Sequence, residues 1–172
     1  MRITIWIAAA SLGSASVASA PLVPQIVTAA GRWAALKGPA HCEAASLAQL
    51  PASRFRAQGR ASLSFDRGHS ANPKARRGEV AVLLSKPARP ESSVMLTIGD
   101  TPFLLVGRGA MAWSRGPAQE AAIIAAMRQE GGMRIEARSA TGARFIDRYL
   151  LDGAPTAIDA AAACAATLPL NR

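Results

Sequence analysis

The clearest pattern along the chain is an alternation of apolar and polar positions, which is typical of β-strands with one buried face. It is strongest at 61–65 (ASLSF), 79–85 (EVAVLLS), 93–99 and 133–138 (MRIEAR). Weaker or shorter segments of the same kind lie at 31–36, 103–106, 110–114 and 143–151. Glycine- and proline-containing turns separate the segments. The pattern predicts seven or eight short antiparallel strands.

Two segments have the features of helices instead. The first begins at Gly116-Pro117, with proline in the first turn, and places Ile123 and Met127 on a buried face. The second begins at Ala154-Pro155 and ends near Cys164. Residues 21–30 are interpreted as an extended lead-in, and the short apolar stretch 44–50 as one helical turn. The expected fold is mainly β: an antiparallel β-sandwich with two short helices.

The N-terminal residues have the three regions of a secretory signal. Arg2 precedes an apolar run at 3–10, and small residues follow at 11–20. The apolar run is too short for a membrane span, which needs about 20 residues. We therefore predict a signal peptide at 1–20, cleaved near 18–20, and one domain at 21–172 without a transmembrane segment. Such a protein is periplasmic or secreted.

The chain has two cysteines, Cys42 and Cys164. In an exported protein they are expected to form a disulfide, because the compartment is oxidising. The loop that it closes exceeds about 100 residues, which in the chain-entropy model corresponds to about 4–5 kcal/mol at most. Two free thiols are the alternative.

The net charge is +9 at pH 7, and most of the excess lies between residues 54 and 89. This segment is a possible anion-binding surface for lipopolysaccharide or anionic lipid. Its candidate residues are Arg54, Arg56, Arg60, Arg67, Lys74, Arg76 and Arg77. The alternative is a solubilising surface. Nucleic acid is not expected as a partner, because the compartment is wrong for it and the segment has no platform of several aromatic side chains among its arginines.

The sequence contains fragments of cofactor and metal motifs, but the residues around them do not fit such sites. Residues 107–112 fit G-x-G-x-x-A, but no helix opens there, so a tight hairpin is the better interpretation. His41, His69 and Cys42 do not make a zinc set, and an oxidised Cys42 is not a nucleophile. Neither a cofactor nor a metal is predicted.

No catalytic set is apparent either. Asp147 and Asp152 could be a carboxylate pair for acid–base chemistry. An ion pair of Asp147 with a nearby arginine, and a turn formed by Asp152 with Gly153, are the simpler interpretation. Tyr149, the single tyrosine, is expected to pack in the core. The sequence therefore indicates a protein that is not an enzyme.

Several segments together resemble the invasion-associated locus B family of alphaproteobacterial exported proteins. They are the signal peptide, Gly31-Arg32-Trp33, Ala112-Trp113 followed by a helix at 118–127, and the ending 147–154 (DRYLLDGA) with an alanine-rich helix to Cys164. The resemblance implies an immunoglobulin-like β-sandwich and a periplasmic or surface location. It implies no catalytic residues, and the family is named for a link to host-cell invasion.

Three functions follow as hypotheses. The first is an exported non-enzymatic β-sandwich that binds a protein or a cell-envelope component. The second is a binder of an anionic envelope polymer through residues 54–89. The third is an enzyme with scattered catalytic residues, which would require a concave pocket with convergent polar groups.

Overall fold

Ten antiparallel strands and two helices make up the part of the chain that the computed structural model describes, residues 23–49, 57–67 and 76–169. The strands are β1 (Gln25–Ala30), β2 (Trp33–Lys37), β3 (Cys42–Leu47), β4 (Arg60–Phe65), β5 (Arg77–Leu83), β6 (Val94–Ile98), β7 (Thr101–Arg108), β8 (Met111–Trp113), β9 (Gly132–Arg138) and β10 (Arg144–Leu150). The helices are α1 (Pro117–Met127) and α2 (Ala154–Ala166). The expectation of a mainly β protein with two helices is confirmed. The predicted signal peptide lies outside the described residues.

The strands form one sheet in the order β1-β2-β3-β4-β5-β8-β7-β6-β9-β10. The long strand β7 pairs with β6 through its first residues and with β8 through its last residues. The sheet curls, so that distant strands come into contact. The indole N–H of Trp33 in β2 donates a hydrogen bond of 2.9 Å to the carbonyl oxygen of Leu150 in β10. Just after β3, the Gln49 N–H donates to the Arg148 carbonyl oxygen at 2.7 Å. The last strand therefore lies against β2 and the end of β3.

The core lies between the curled sheet and the two helices. Trp33 is 1% exposed and is the large anchor of this core, as its position predicted. Helix α2 packs on β1 to β4, and its Cys164 is joined to Cys42 of β3 by a disulfide. Helix α1 packs on β5, where Ile124 covers Gly78. Both helices thus cover the same face of these strands, and the disulfide predicted from the sequence is confirmed.

Two segments differ from the predictions. Residues 25–30 are a strand, β1, rather than only an extended lead-in. Residues 42–47 are a strand, β3, and not a helical turn. Strand β3 lacks visible alternation because Ala44, Ala45 and Ser46 are all buried, with small side chains on both faces. No helix among the described residues is long and apolar enough to cross a membrane.

Candidate anion-binding surface

The arginines of the predicted basic segment fall into two groups in the structure. Arg60 begins β4, whereas Arg67, Arg76 and Arg77 lie at the opposite ends of β4 and β5. The length of β4 separates the groups, about 17 Å at about 3.3 Å per residue. Arg54, Arg56 and Lys74 lie outside the described residues. The described arginines of this segment therefore do not form one cluster.

Most of these arginines also have partners within the protein. Arg60 forms an ion pair with Glu43, with 2.5 Å between Nη2 and Oε1. Arg76 lies 3.1 Å from a carboxylate oxygen of Asp66. Arg67 donates a hydrogen bond of 2.6 Å to a backbone carbonyl just beyond α2. These contacts reduce the charge that the segment presents to a ligand.

A second group of arginines lies on β9 and β10, where the sequence analysis assigned no site. Arg138 is directly opposite Arg144, and Arg134 is directly opposite Arg148. The alternate residues of both strands are buried, so the arginines occupy the solvent face. Like charges directly opposite each other destabilise a sheet. These four residues are called the arginine patch. Repulsion within each opposed pair is a local cost of the kind that proteins accept at functional sites.

A carboxylate, Glu136, lies between the two arginine pairs. Arg144 donates a hydrogen bond from Nη2 to Oε2 at 2.5 Å, and its Nε lies 2.5 Å from Oε1 in the same ion pair. The hydrogen bond from Arg144 lowers the pKa of Glu136, and the charges of Arg134 and Arg138 lower it further. The patch keeps a net positive charge despite the carboxylate.

Three clefts open beside the arginine patch. The largest, of about 530 Å³, is lined by Arg144 and Arg148 among others. A second, of about 410 Å³, is lined by Arg138 and Arg144 and also by the carboxylates of Glu91 and Glu136, so its charges balance. The third, of about 200 Å³, is lined by Arg134 and Arg148 and by no carboxylate, so it offers two guanidinium groups that bind phosphate or carboxylate with paired hydrogen bonds. The pairs are four residues apart along the strands, about 13 Å, so the surface fits an extended anion with repeated charges.

The predicted acid–base candidates occupy different surroundings. Asp147 is 5% exposed and accepts a hydrogen bond of 2.9 Å from the Ser85 N–H, where an arginine partner had been expected. Tyr149 is buried, as expected, beneath Gly59, and its hydroxyl has no partner among the described residues. Burial raises the pKa of Tyr149, and the charge of Asp147 adds to the shift. Asp152 lies in the turn before α2, so the two aspartates do not form a carboxylate pair.

The other residues that the sequence analysis considered for cofactor, metal or nucleophile sites have structural roles where the structure describes them. Cys42 is oxidised, and the carbonyl oxygen of the neighbouring His41 accepts a hydrogen bond within a tight turn. Residues 107–112 form the β7–β8 hairpin, with Gly109 at a φ of 59°. Within residues 23–49, 57–67 and 76–169, no cluster of three or more His, Cys, Asp or Glu residues could hold a metal ion. His69 lies outside these ranges.

The arginine patch had a signal in the sequence. The segments RIEAR (134–138) and RFIDR (144–148) each place two arginines four residues apart, an even spacing that puts both on one face of a strand. The alternation at 133–138 predicts that Arg134, Glu136 and Arg138 share the polar face of a strand, and the structure places them there. The pairing of this strand with Arg144 and Arg148 depends on register, which the pattern alone did not give.

Searches of family models, of curated proteins and of solved structures gave no match to this chain.

Proposed function

We propose that this chain is an exported, non-enzymatic protein of the invasion-associated locus B type, with an immunoglobulin-like β-sandwich fold, that binds an anionic component of the cell envelope. The observation that carries the proposal is the arginine patch, with its two directly opposed pairs Arg138/Arg144 and Arg134/Arg148. Such pairs lower the stability of a sheet, and a bound anion would offset their repulsion through charged hydrogen bonds. The disulfide is compatible with an oxidising compartment.

The proposed ligand is an extended anionic polymer such as lipopolysaccharide. Two guanidinium pairs about 13 Å apart suit a ligand with several anionic groups. The basic segment at 54–89 stays a second prediction for the same ligand, although Arg60 and Arg76 are engaged with carboxylates. A protein partner is the alternative function, and an acidic protein surface would present similar groups.

The test compares two double variants that remove the same charge. Arg134→Gln/Arg148→Gln removes one opposed pair, and Arg76→Gln/Arg77→Gln removes two charges of the basic segment. Retention on immobilised lipopolysaccharide is measured at low and high salt. We expect the first variant to bind at least about a hundredfold more weakly, because it loses two charged hydrogen bonds that are each worth about 1.5 kcal/mol or more. The second variant should bind nearly as the native protein does.

A stability measurement separates loss of ligand contacts from loss of fold. Arg134→Gln/Arg148→Gln should melt at the same or a higher temperature than the native protein, because it relieves like-charge repulsion. Equal weakening by both double variants would show that only net charge matters. Retention that is insensitive to both would overturn the proposed function.

A further inference from the structure

A row of small side chains crosses the sheet on the face that the helices leave uncovered. In the register of β1 to β5, each member of the row is directly opposite the next. The members are Ala29, Ala34, Ala45, Ser62 and Ala81. Their neighbours along each strand point to the core and to α2, so the row faces outward. Small residues in adjacent strands leave a trough across the sheet.

Larger side chains form the walls of this trough over β1 to β4. Leu36 stands on one side and Leu47, which is 57% exposed, on the other. The resulting groove has a volume of about 780 Å³, which is larger than the volume of any of the clefts beside the arginine patch. That size lies in the range of small-molecule sites, about 300–1,000 Å³. The groove is therefore mainly apolar, with leucines at its sides and alanines on its floor, and Gln49 and Gln58 add polar groups to its lining.

Charged groups close one end of the groove. Arg60 is opposite Leu47 on one wall, and Glu43 is opposite Ser64 on the other. Their ion pair crosses the trough above Ala45, which is 7% exposed although it faces away from the core. Arg32 lies at the rim of the same groove. The groove thus has two guanidinium groups at its margins.

We propose that this groove binds an anionic amphiphile, one alkyl chain on the floor and its phosphate or carboxylate head at Arg60 and Arg32. The floor of the groove accommodates an alkyl chain, because its alanine methyl groups make van der Waals contacts and no long side chain projects from the floor to block the chain. The guanidinium groups complement an anionic head by paired hydrogen bonds. The inference rests on the proposed function in one respect, since it names a lipid component of the envelope as a ligand.

The ion pair makes a prediction specific to this geometry. An anionic head group has to compete with the Glu43 carboxylate for the Arg60 guanidinium. In the ion pair, Arg60 Nη2 lies 2.5 Å from Glu43 Oε1. Glu43→Gln should therefore strengthen binding, whereas Arg60→Gln should weaken it. An apolar site without a head-group contact would not respond in opposite directions to these two changes.

The experiment is calorimetric titration with lysophosphatidylglycerol below its micellar concentration. Lysophosphatidylcholine tests the charge of the head, and glycerol phosphate tests the head without the chain. Ala34→Leu fills the groove, and Ala81→Leu makes the same change in the same row outside the groove. We expect Ala34→Leu and Arg60→Gln each to weaken lysophosphatidylglycerol binding about tenfold, the effect of about 1.4 kcal/mol, while Ala81→Leu binds normally. The neutral-headed lipid should bind more weakly, and glycerol phosphate should not bind.

Several outcomes would overturn the proposal. Loss of binding in Arg134→Gln/Arg148→Gln but not in Ala34→Leu would place the lipid head at the arginine patch, which keeps the proposed function and removes the groove. Equal binding of glycerol phosphate would show an ion site without a chain. A dimer in light scattering that Ala34→Leu dissociates, without lipid binding, would make a second copy the occupant. The converse result is that the lipid binds in the groove while the protein is not retained on lipopolysaccharide. That result would support the lipid site in the groove and contradict the proposed binding of lipopolysaccharide at the arginine patch.

Discussion

Gly153, in the turn before α2, lies directly against the carbonyl oxygen of Ala30 at the end of β1. A β-carbon added at Gly153 would be 1.9 Å from that oxygen, well inside van der Waals contact. Beside it, the Arg32 N–H donates a hydrogen bond of 3.0 Å to the Asp152 carbonyl oxygen. The first hairpin and the last turn of the domain therefore meet backbone to backbone, with no room for a side chain.

Replacing this glycine should strongly destabilise the fold. Gly153→Ala places a methyl group against the Ala30 backbone and also requires a φ of 81° in a residue with a β-carbon. We expect a loss of about 3 kcal/mol or more in the free energy of unfolding, measured by denaturant titration. Gly142→Ala is the control, because Gly142 has a φ of 83° but no described atom lies within 4 Å of where its added methyl group would stand. It should lose only about 1 kcal/mol.

The disulfide predicts non-additive effects. Cys42→Ala and Cys164→Ala each break the same cross-link, whose residues are 122 apart in the sequence. We expect each single variant to lower the melting temperature by a similar amount, and the double variant to lower it no further. The loss in free energy should be at most about 4–5 kcal/mol. Thermal unfolding with and without reductant measures it, and additive losses would contradict a shared role.

Tyr149 should not ionise in the folded protein at the pH of a free tyrosine. Burial raises its pKa above the ordinary value of 10.0. The unfolded chain then releases a proton that the folded chain retains, so stability falls as the pH rises above about 10. Because this is the single tyrosine of the sequence, absorbance at alkaline pH reports it alone. The phenolate signal should appear together with loss of the tryptophan fluorescence of the fold, and an earlier signal would contradict the burial.

The hydroxyl of Tyr149 also gives a test by substitution. It has no hydrogen-bond partner among the described residues, and its ring is buried. A buried unpaired polar group costs about 1–3 kcal/mol. Tyr149→Phe should therefore leave the stability unchanged or raise it by up to about 1 kcal/mol. A clear loss in denaturant titration would mean that the hydroxyl has a partner.

Glu136 should contribute stability at neutral pH that is lost in acid. Arg144, with help from the neighbouring arginines, lowers its pKa below the ordinary value of 4.5. A carboxylate with a depressed folded pKa stabilises above its unfolded pKa, and the contribution disappears as pH falls through the folded value. Melting curves of native protein and Glu136→Gln should differ at pH 7 and converge as the pH falls through the lowered pKa of Glu136.

Much of the architecture follows from the sequence where one face of an element is uniformly apolar. Met133, Ile135 and Ala137 are buried on alternate positions, so β9 was predicted within one residue of its start. Strand β3 was missed because Ala44, Ala45 and Ser46 are consecutive small residues, all of them buried, so the sequence shows no alternation of apolar and polar positions. The burial of Ala45 on the outer face depends on the ion pair above it, which the sequence pattern does not show.

The sites were less predictable than the elements. A charge count indicated residues 54–89, yet the structure separates Arg60 from Arg76 and pairs both with carboxylates. The arginine patch arises because β9 and β10 pair with Arg138 opposite Arg144. Local composition reports how many charges a segment has, whereas register decides which of them become neighbours.

The bond between Cys42 and Cys164 also sets an order of events during synthesis. A chain made from its N-terminus presents the Cys42 thiol long before Cys164 exists, and 122 residues separate the two. Until α2 arrives, the inner faces of β1 to β4 have no covering helix, and Trp33 has no cover from it. Helix α2 completes the cover of these strands, so in the exported protein that we propose the bond can close only after nearly the whole domain has reached the oxidising compartment.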